Sequence, residues 1–261
     1  MLKKRLIGVV TVKNGWAVQS FGYSRYLPLG RPDCLVENLD RWGADEILVQ
    51  VIDCSTRGVG PDFELLEKLA RLGLGTPLIY GGGIRTVEEG VRAIQSGADR
   101  IIVDALLHDD LLMVRELSEQ LGVQAVIASL PMEIGLHGLE WYDYRSQTTA
   151  PLSAALIETI EQGVVSEIFL TDRQHEGSPA GFESTLIELF PNQKIPLIAF
   201  GGISKAEQIS TLLTLPNVAA VSIGNFLNYR EHAIQKLKEV LVSAALRPPN
   251  YATEYPFLNN V

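Results

Sequence analysis

The sequence predicts a (β/α)8 TIM barrel made of two related halves. Eight short apolar runs alternate with amphipathic segments along the whole chain. The length, 261 residues, suits eight such units. A strand–glycine–helix phrase also occurs twice. Residues 76–86 read Thr-Pro-Leu-Ile-Tyr-Gly-Gly-Gly-Ile-Arg-Thr, and residues 195–204 read Ile-Pro-Leu-Ile-Ala-Phe-Gly-Gly-Ile-Ser. An open, doubly wound sheet uses the same units and is the alternative.

The apolar runs are 5–11, 46–52, 77–80, 100–104, 125–130, 167–171, 196–200 and 219–223. They are near-continuous in Val, Ile and Leu, as strands buried on both faces require. The segments 34–42, 62–72, 87–96, 109–121, 152–162, 182–189, 205–213 and 230–246 carry apolar residues at helical spacing. Residues 1–246 thus form one barrel, and 247–261 a tail that packs outside or is partly disordered. Two long loops, 12–33 and 131–151, follow the first and fifth strands. Both lie on the face where barrel enzymes build their sites, and both read as lids.

Hydrophobic residues make up 46% and charged residues 20%, as in a soluble protein with a large core. A net charge of −9 argues against a nucleic-acid or anionic-membrane partner. No stretch nears the roughly 18 apolar residues of a membrane span. The basic start, Met1 to Arg5, leads into an apolar run that reads as a strand and is too short for a leader. Cys34 and Cys54 lack metal-type spacing and read as reduced thiols of a cytoplasmic protein. His108, His137 and His232 have no partners at ligand spacing, so neither a metal nor a cofactor is expected.

Arg5, Glu46, Arg100 and Glu167 each open a strand. Alternate strand residues face a barrel's interior, so these four charges predict a closed ring of ion pairs on its floor. Such a ring plugs the floor or gates it. The paired glycine turns bring backbone N–H groups close to a ligand and predict anion cradles.

Several stretches together resemble the HisF-type cyclase subunit of imidazole glycerol phosphate synthase. They are residues 1–8, 43–49, 80–88, 96–100, 166–171, 176–183, 200–203 and 226–231. The likeness runs in order from residue 1 to about 245. Residues 52–58, Ile-Asp-Cys-Ser-Thr-Arg-Gly, with 61–66, look like a paralogue branch associated with acetamidino-sugar and surface-polysaccharide synthesis.

The resemblance implies that Arg5, Glu46, Arg100 and Glu167 gate ammonia, with an arginine where a lysine is usual. A HisH-like glutaminase would dock on the floor, where Asp99 matches an interface position. Gly82 and Gly83 match one phosphate site; Gly177, Gly201, Gly202, Gly224 and Asn225 match the other. The top of the barrel departs from the pattern. Thr11 and Pro131 stand where the cyclase has its two aspartates, and neither is a proton-transfer group at neutral pH. Only Glu133 lies close by. Asp104-Ala105 replaces an Asn-Thr pair at the first phosphate site, where a carboxylate repels phosphate. Glu176 replaces an aspartate at the second.

Asp53, Asp104 and Glu176 are therefore the catalytic candidates, each with a plain alternative as a loop or turn residue. Arg173 is a candidate anion ligand beside Asp172 and His175. Trp141, Tyr142 and Tyr144 are a candidate stacking lid. The leading function is a synthase subunit that conducts ammonia to an acceptor whose chemistry falls to a third amidotransferase subunit. The alternatives are a genuine histidine-pathway cyclase and a non-catalytic scaffold.

Overall fold

The computed structural model describes residues 3–136, 138–229, 232–241 and 246–249. The chain begins with β1 (Arg5–Lys13), β2 (Trp16–Phe21), β3 (Arg25–Gly30) and α1 (Pro32–Arg41). Next come β4 (Glu46–Val51), α2 (Phe63–Ala70), β5 (Leu78–Gly81), α3 (Val87–Gln95) and β6 (Arg100–Val103). A short α4 (Ala105–Asp109) precedes α5 (Leu111–Leu121), β7 (Val126–Gly135), β8 (Gly138–Asp143), β9 (Thr148–Ala150) and α6 (Ala154–Glu161). The last part is β10 (Glu167–Asp172), α7 (Thr185–Glu188), β11 (Leu197–Phe200), α8 (Ala206–Thr214), β12 (Val218–Ile223) and α9 (Ala233–Val240).

The parallel strands run β10-β11-β12-β1-β4-β5-β6-β7, and β7 pairs back onto β10 to close the barrel. This is the (β/α)8 architecture expected from the eight runs. Inside the barrel, Ile7, Leu48, Ile79, Ile102, Ile127 and Ile198 pack with Phe169 and Phe200, whose ring centroids are 5.2 Å apart. A larger apolar layer lies between strands and helices. Helix starts are fixed by side-chain caps: Asp62 Oδ1 accepts from Leu65 N at 3.0 Å, Thr86 Oγ1 from Glu89 N at 3.2 Å, and Ser153 Oγ from Leu156 N at 3.1 Å.

Register ties the halves together. Glu46 stands opposite Ile7 and Glu167 opposite Ile127, while Thr11 pairs Gln50 and Pro131 pairs Thr171 on the rung four residues higher. The glycine phrases match in backbone too: φ is +138° and +75° at Gly82 and Gly83, and +107° and +72° at Gly201 and Gly202. A Cβ on Gly82 would lie 2.4 Å from the Val51 carbonyl oxygen, and one on Gly202 would lie 2.2 Å from that of Gly181. Both positions require glycine for close backbone packing as well as for φ.

Both expected loops are instead sheet. Residues 12–33 carry the β2–β3 hairpin, because Asn14-Gly15 takes φ of +50° and +77° and turns β1 into β2 in two residues. In 131–151, β7 runs on to Gly135 and folds back antiparallel as β8 and then β9. The expected helix 109–121 is split at Asp110, whose carboxylate caps α5 at Leu112 N and Met113 N, both at 3.0 Å. The segment 182–189 forms helix only over Thr185–Glu188. Of the expected helix 230–246, residues 230, 231 and 242–245 lie outside the described residues, as do His137 and, in the tail, 250–261. Among the described residues, no helix is long and apolar enough to cross a membrane.

Candidate functional site

At the N-terminal mouth of the barrel the four strand-opening charges close into a ring. Arg5 Nη1 lies 3.0 Å from Glu46 Oε2, and Arg5 Nη2 pairs with Glu167 Oε1. Arg100 Nη1 lies 3.2 Å from Glu46 Oε1, and Arg100 Nη2 2.6 Å from Glu167 Oε2. Two positive and two negative charges thus meet with none left over. Arg100 is anchored further by Nε donating to the Gln124 carbonyl at 3.0 Å and Nη2 to Ser166 Oγ at 2.9 Å. Burial pushes the Glu46 carboxyl pKa up, and the Arg5 and Arg100 guanidinium groups oppose it. Asp99 lies at the same end, exposed, with Oδ2 accepting from Leu78 N at 2.7 Å.

At the opposite mouth lies a chamber of about 740 Å3. Its floor reaches Leu48 and Ile102 inside the barrel, and Tyr23, Tyr26, Tyr142 and Tyr144 are in its walls. Asp104 is in the wall where β6 passes into α4. Its Oδ1 is shielded from solvent and has no hydrogen-bond partner among the described residues. Burial, and next the Asp143 charge, raise its pKa to about 8, against a smaller opposing effect of Arg145. Arg145 is committed elsewhere, to Asp109 at 2.7 Å and Asp143 at 3.2 Å. Asp104 is therefore largely protonated near neutral pH, with its proton available to a ligand.

The first glycine cradle, Gly82 and Gly83, opens into this chamber. The Gly83 N–H donates to Ser55 Oγ at 3.3 Å, and Tyr144 lines the chamber with Ser55. Cations at the chamber are engaged as well. Lys13 Nζ sits 4.4 Å from the Tyr26 ring centroid. Arg173 pairs with Glu133 and stacks 3.8 Å from the Tyr142 centroid.

A second chamber of about 270 Å3 holds the other cradle, with Gly177, Gly201, Gly202, Gly224 and Asn225 in its wall. The β2–β3 hairpin separates the two. Val18 and Phe21 face the small chamber, and Gly22, Tyr23, Ser24 and Tyr26 face the large one. The second half of the barrel clamps this hairpin. Glu176 Oε2 accepts from Ser20 Oγ and from Tyr23 N, both at 3.1 Å, and the Glu176 carbonyl accepts from Gly22 N at 3.0 Å. The Asn225 side chain donates to the Ser20 carbonyl at 2.7 Å and accepts from Ser20 N at 3.3 Å. Burial raises the Glu176 pKa, opposed by the bonds from Tyr23 and Ser20.

Residues 5–233 match the family described as Histidine biosynthesis protein. The chain belongs to that family, among its HisF-type members. A protein of Campylobacter jejuni provisionally named imidazole glycerol phosphate synthase subunit hisF2 is 29% identical over 243 residues, 92% of this chain and 96% of its own. A Vibrio vulnificus protein named in the same provisional way is 28% identical over 248 residues, 94% of this chain and 91% of its own. Imidazole glycerol phosphate synthase subunit HisF of Thermococcus gammatolerans is 28% identical over 248 residues, 94% of this chain and 98% of its own.

Within this HisF-type barrel the sequence-predicted residues divide. Asp104 is in the large chamber and uncommitted. Asp53 is buried off the chamber wall, accepting from Asn14 N and Arg57 Nη1, both at 3.2 Å, so its carboxylate holds a loop. Glu176 borders the small chamber, but its carboxylate is spent on the hairpin, as is the Asn225 side chain. Thr11 faces the small chamber and Pro131 the large one, and neither brings a titratable group. Glu133 is bound to Arg173. Of the expected lid, Tyr142 and Tyr144 face the large chamber. Trp141 is buried in the apolar layer outside the strands and stacks on His108 with centroids 3.5 Å apart. Asp172 Oδ2 holds His175 Nδ1 at 2.7 Å and Glu183 N at 2.7 Å, structuring the loop after β10. No group of three His, Cys, Asp or Glu side chains suited to a metal occurs among the described residues. Sequence reasoning missed Ser20, Tyr23 and Ser55. Asn14-Gly15 was the signal for the hairpin carrying the first two, while nothing local in the sequence pairs Ser55 with Gly83.

Proposed function

We propose that this HisF-type barrel is the ammonia-accepting subunit of a glutamine amidotransferase complex. A HisH-like glutaminase docks on the floor, around Asp99, and ammonia enters through the ring of Arg5, Glu46, Arg100 and Glu167. The ring carries this reading. Taking four charges out of water costs more than apolar packing would, so a floor needing only a plug would do as well with aliphatic side chains. Ion pairs that part and re-form give such a floor a second state. Ammonia then passes the apolar interior to the large chamber, whose floor is Leu48 and Ile102.

There Asp104 is the proton-transfer group. In its protonated form it donates to the acceptor's departing or developing oxygen as ammonia adds, and its carboxylate then takes a proton from the added nitrogen. The acceptor belongs to amidino-sugar or surface-polysaccharide synthesis, in keeping with residues 52–58, and a third subunit activates it. Ordinary cyclisation of the histidine-pathway ribonucleotide is not this protein's reaction, because neither Thr11 nor Pro131 brings an acid–base group. Incubating the purified barrel with that ribonucleotide and an ammonium salt tests this. No turnover above background is expected, and imidazole product at rates typical of enzymes would overturn the reading.

A further inference from the structure

We propose that Ser55 and Tyr144 close the first glycine cradle to anions, so that the large chamber takes an uncharged ligand rich in hydroxyl or amide groups, which bonds to Asp104. This deepens the reading above and rests on it only for the ligand's role as acceptor.

The two cradles share a backbone but differ in what meets their N–H groups. In the first, the Gly83 N–H is held by Ser55 Oγ at 3.3 Å. At the equivalent Gly202, no side chain takes the N–H among the described residues. An anion in the first cradle must therefore displace the Ser55 hydroxyl and the Tyr144 phenol beside it. In return it would find two cations that already have contacts, of which Arg173 is paired with a carboxylate. Lys13 lies on Tyr26, and Arg173 is held by Glu133 and Tyr142. It would also meet Asp104, whose Oδ1 already lacks a donor. A negative charge next to that carboxyl is repelled once the carboxyl ionises, as it does above about pH 8.

The same features favour an uncharged guest. A hydroxyl or amide group satisfies the Asp104 carboxyl, which leaving unpaired costs free energy. Four tyrosines supply flat faces and phenol groups around it, and about 740 Å3 suits a small molecule. The β2–β3 hairpin further means that one ligand with two anionic ends does not span both cradles while Glu176 and Asn225 hold it.

Inorganic phosphate is the probe. Its binding to the full chain alone is measured by calorimetry at about pH 9, where the Asp104 carboxyl is ionised, for the wild type and for S55A/D104N. We expect the double variant to bind one phosphate more per chain than the wild type. An equal number in both, or two in the wild type, overturns the proposal. Y144F/D104N removes the neighbouring contact with almost no loss of volume and serves if S55A/D104N does not fold; it too should gain phosphate binding, at least about tenfold, and no gain overturns the proposal. Because no glutaminase is present, failure here leaves the ammonia-accepting role standing, and the reverse also holds.

Discussion

Burial decides what Asp104 can do. With a pKa of about 8, against an ordinary 3.8, the folded protein holds a proton that the unfolded chain releases. The sign follows. Between about pH 4 and pH 8 the native state binds the extra proton, so stability falls as pH rises through that window. Asp104→Asn removes this dependence. Melting temperatures at about pH 9 and about pH 5 should converge in the variant, with a gain at the alkaline end of at least ~1 kcal/mol, or ~2–4 °C. Parallel pH curves for the variant and wild type would refute the shielded carboxyl. The sequence exposes Asp104 as a candidate because it ends a strand on the ligand face. Asp53 ends a strand in the same way, yet Asn14 N and Arg57 claim it. Strand position places a carboxyl at the right end of the barrel, but its role depends on partners from other loops, which no local pattern records.

At the scale of elements, the β2–β3 hairpin shapes the site. It divides the top of the barrel, and its hold on the second half comes from Glu176 and Asn225. These two residues look like site residues in sequence because they follow strands near glycines. Their side chains point at a strand pair some 150 to 200 residues earlier in the chain. Replacing Asn225 by Ala removes two hydrogen bonds of about 1 kcal/mol each, and Glu176→Ala removes two more. In either variant the amides of β2 and β3 should exchange with deuterium at least about tenfold faster, while β5 and β11 exchange as before. Unchanged exchange in the hairpin would mean that packing of Phe21 and Val18 holds it without the clamp. The expected loop over 131–151 is instead the end of β7 with β8 and β9. It could not be read as strands because its alternation is short and its turns are unremarkable in composition.

The whole molecule is where the sequence is most legible. Eight apolar runs become eight barrel strands, since strands buried on both faces must be continuous in Val, Ile and Leu, a signal that survives any loop change. The repeated glycine phrase becomes two cradles with matching backbone. What the repeat does not disclose is their divergence, since Ser55 takes the N–H of one copy only among the described residues. The charge ring is also a whole-molecule feature: four residues far apart in sequence meet because each opens a strand. That meeting point lies at the opposite mouth from Asp104, so under the proposed function nitrogen supplied at the floor reaches the top only through the barrel. Titrating this barrel into a HisH-like glutaminase, and following glutamine hydrolysis, tests the link most directly. A complex is expected, with a rise in hydrolysis of at least about tenfold that saturates at equal amounts of the two chains. No complex, and a rate unchanged across the titration, would contradict it.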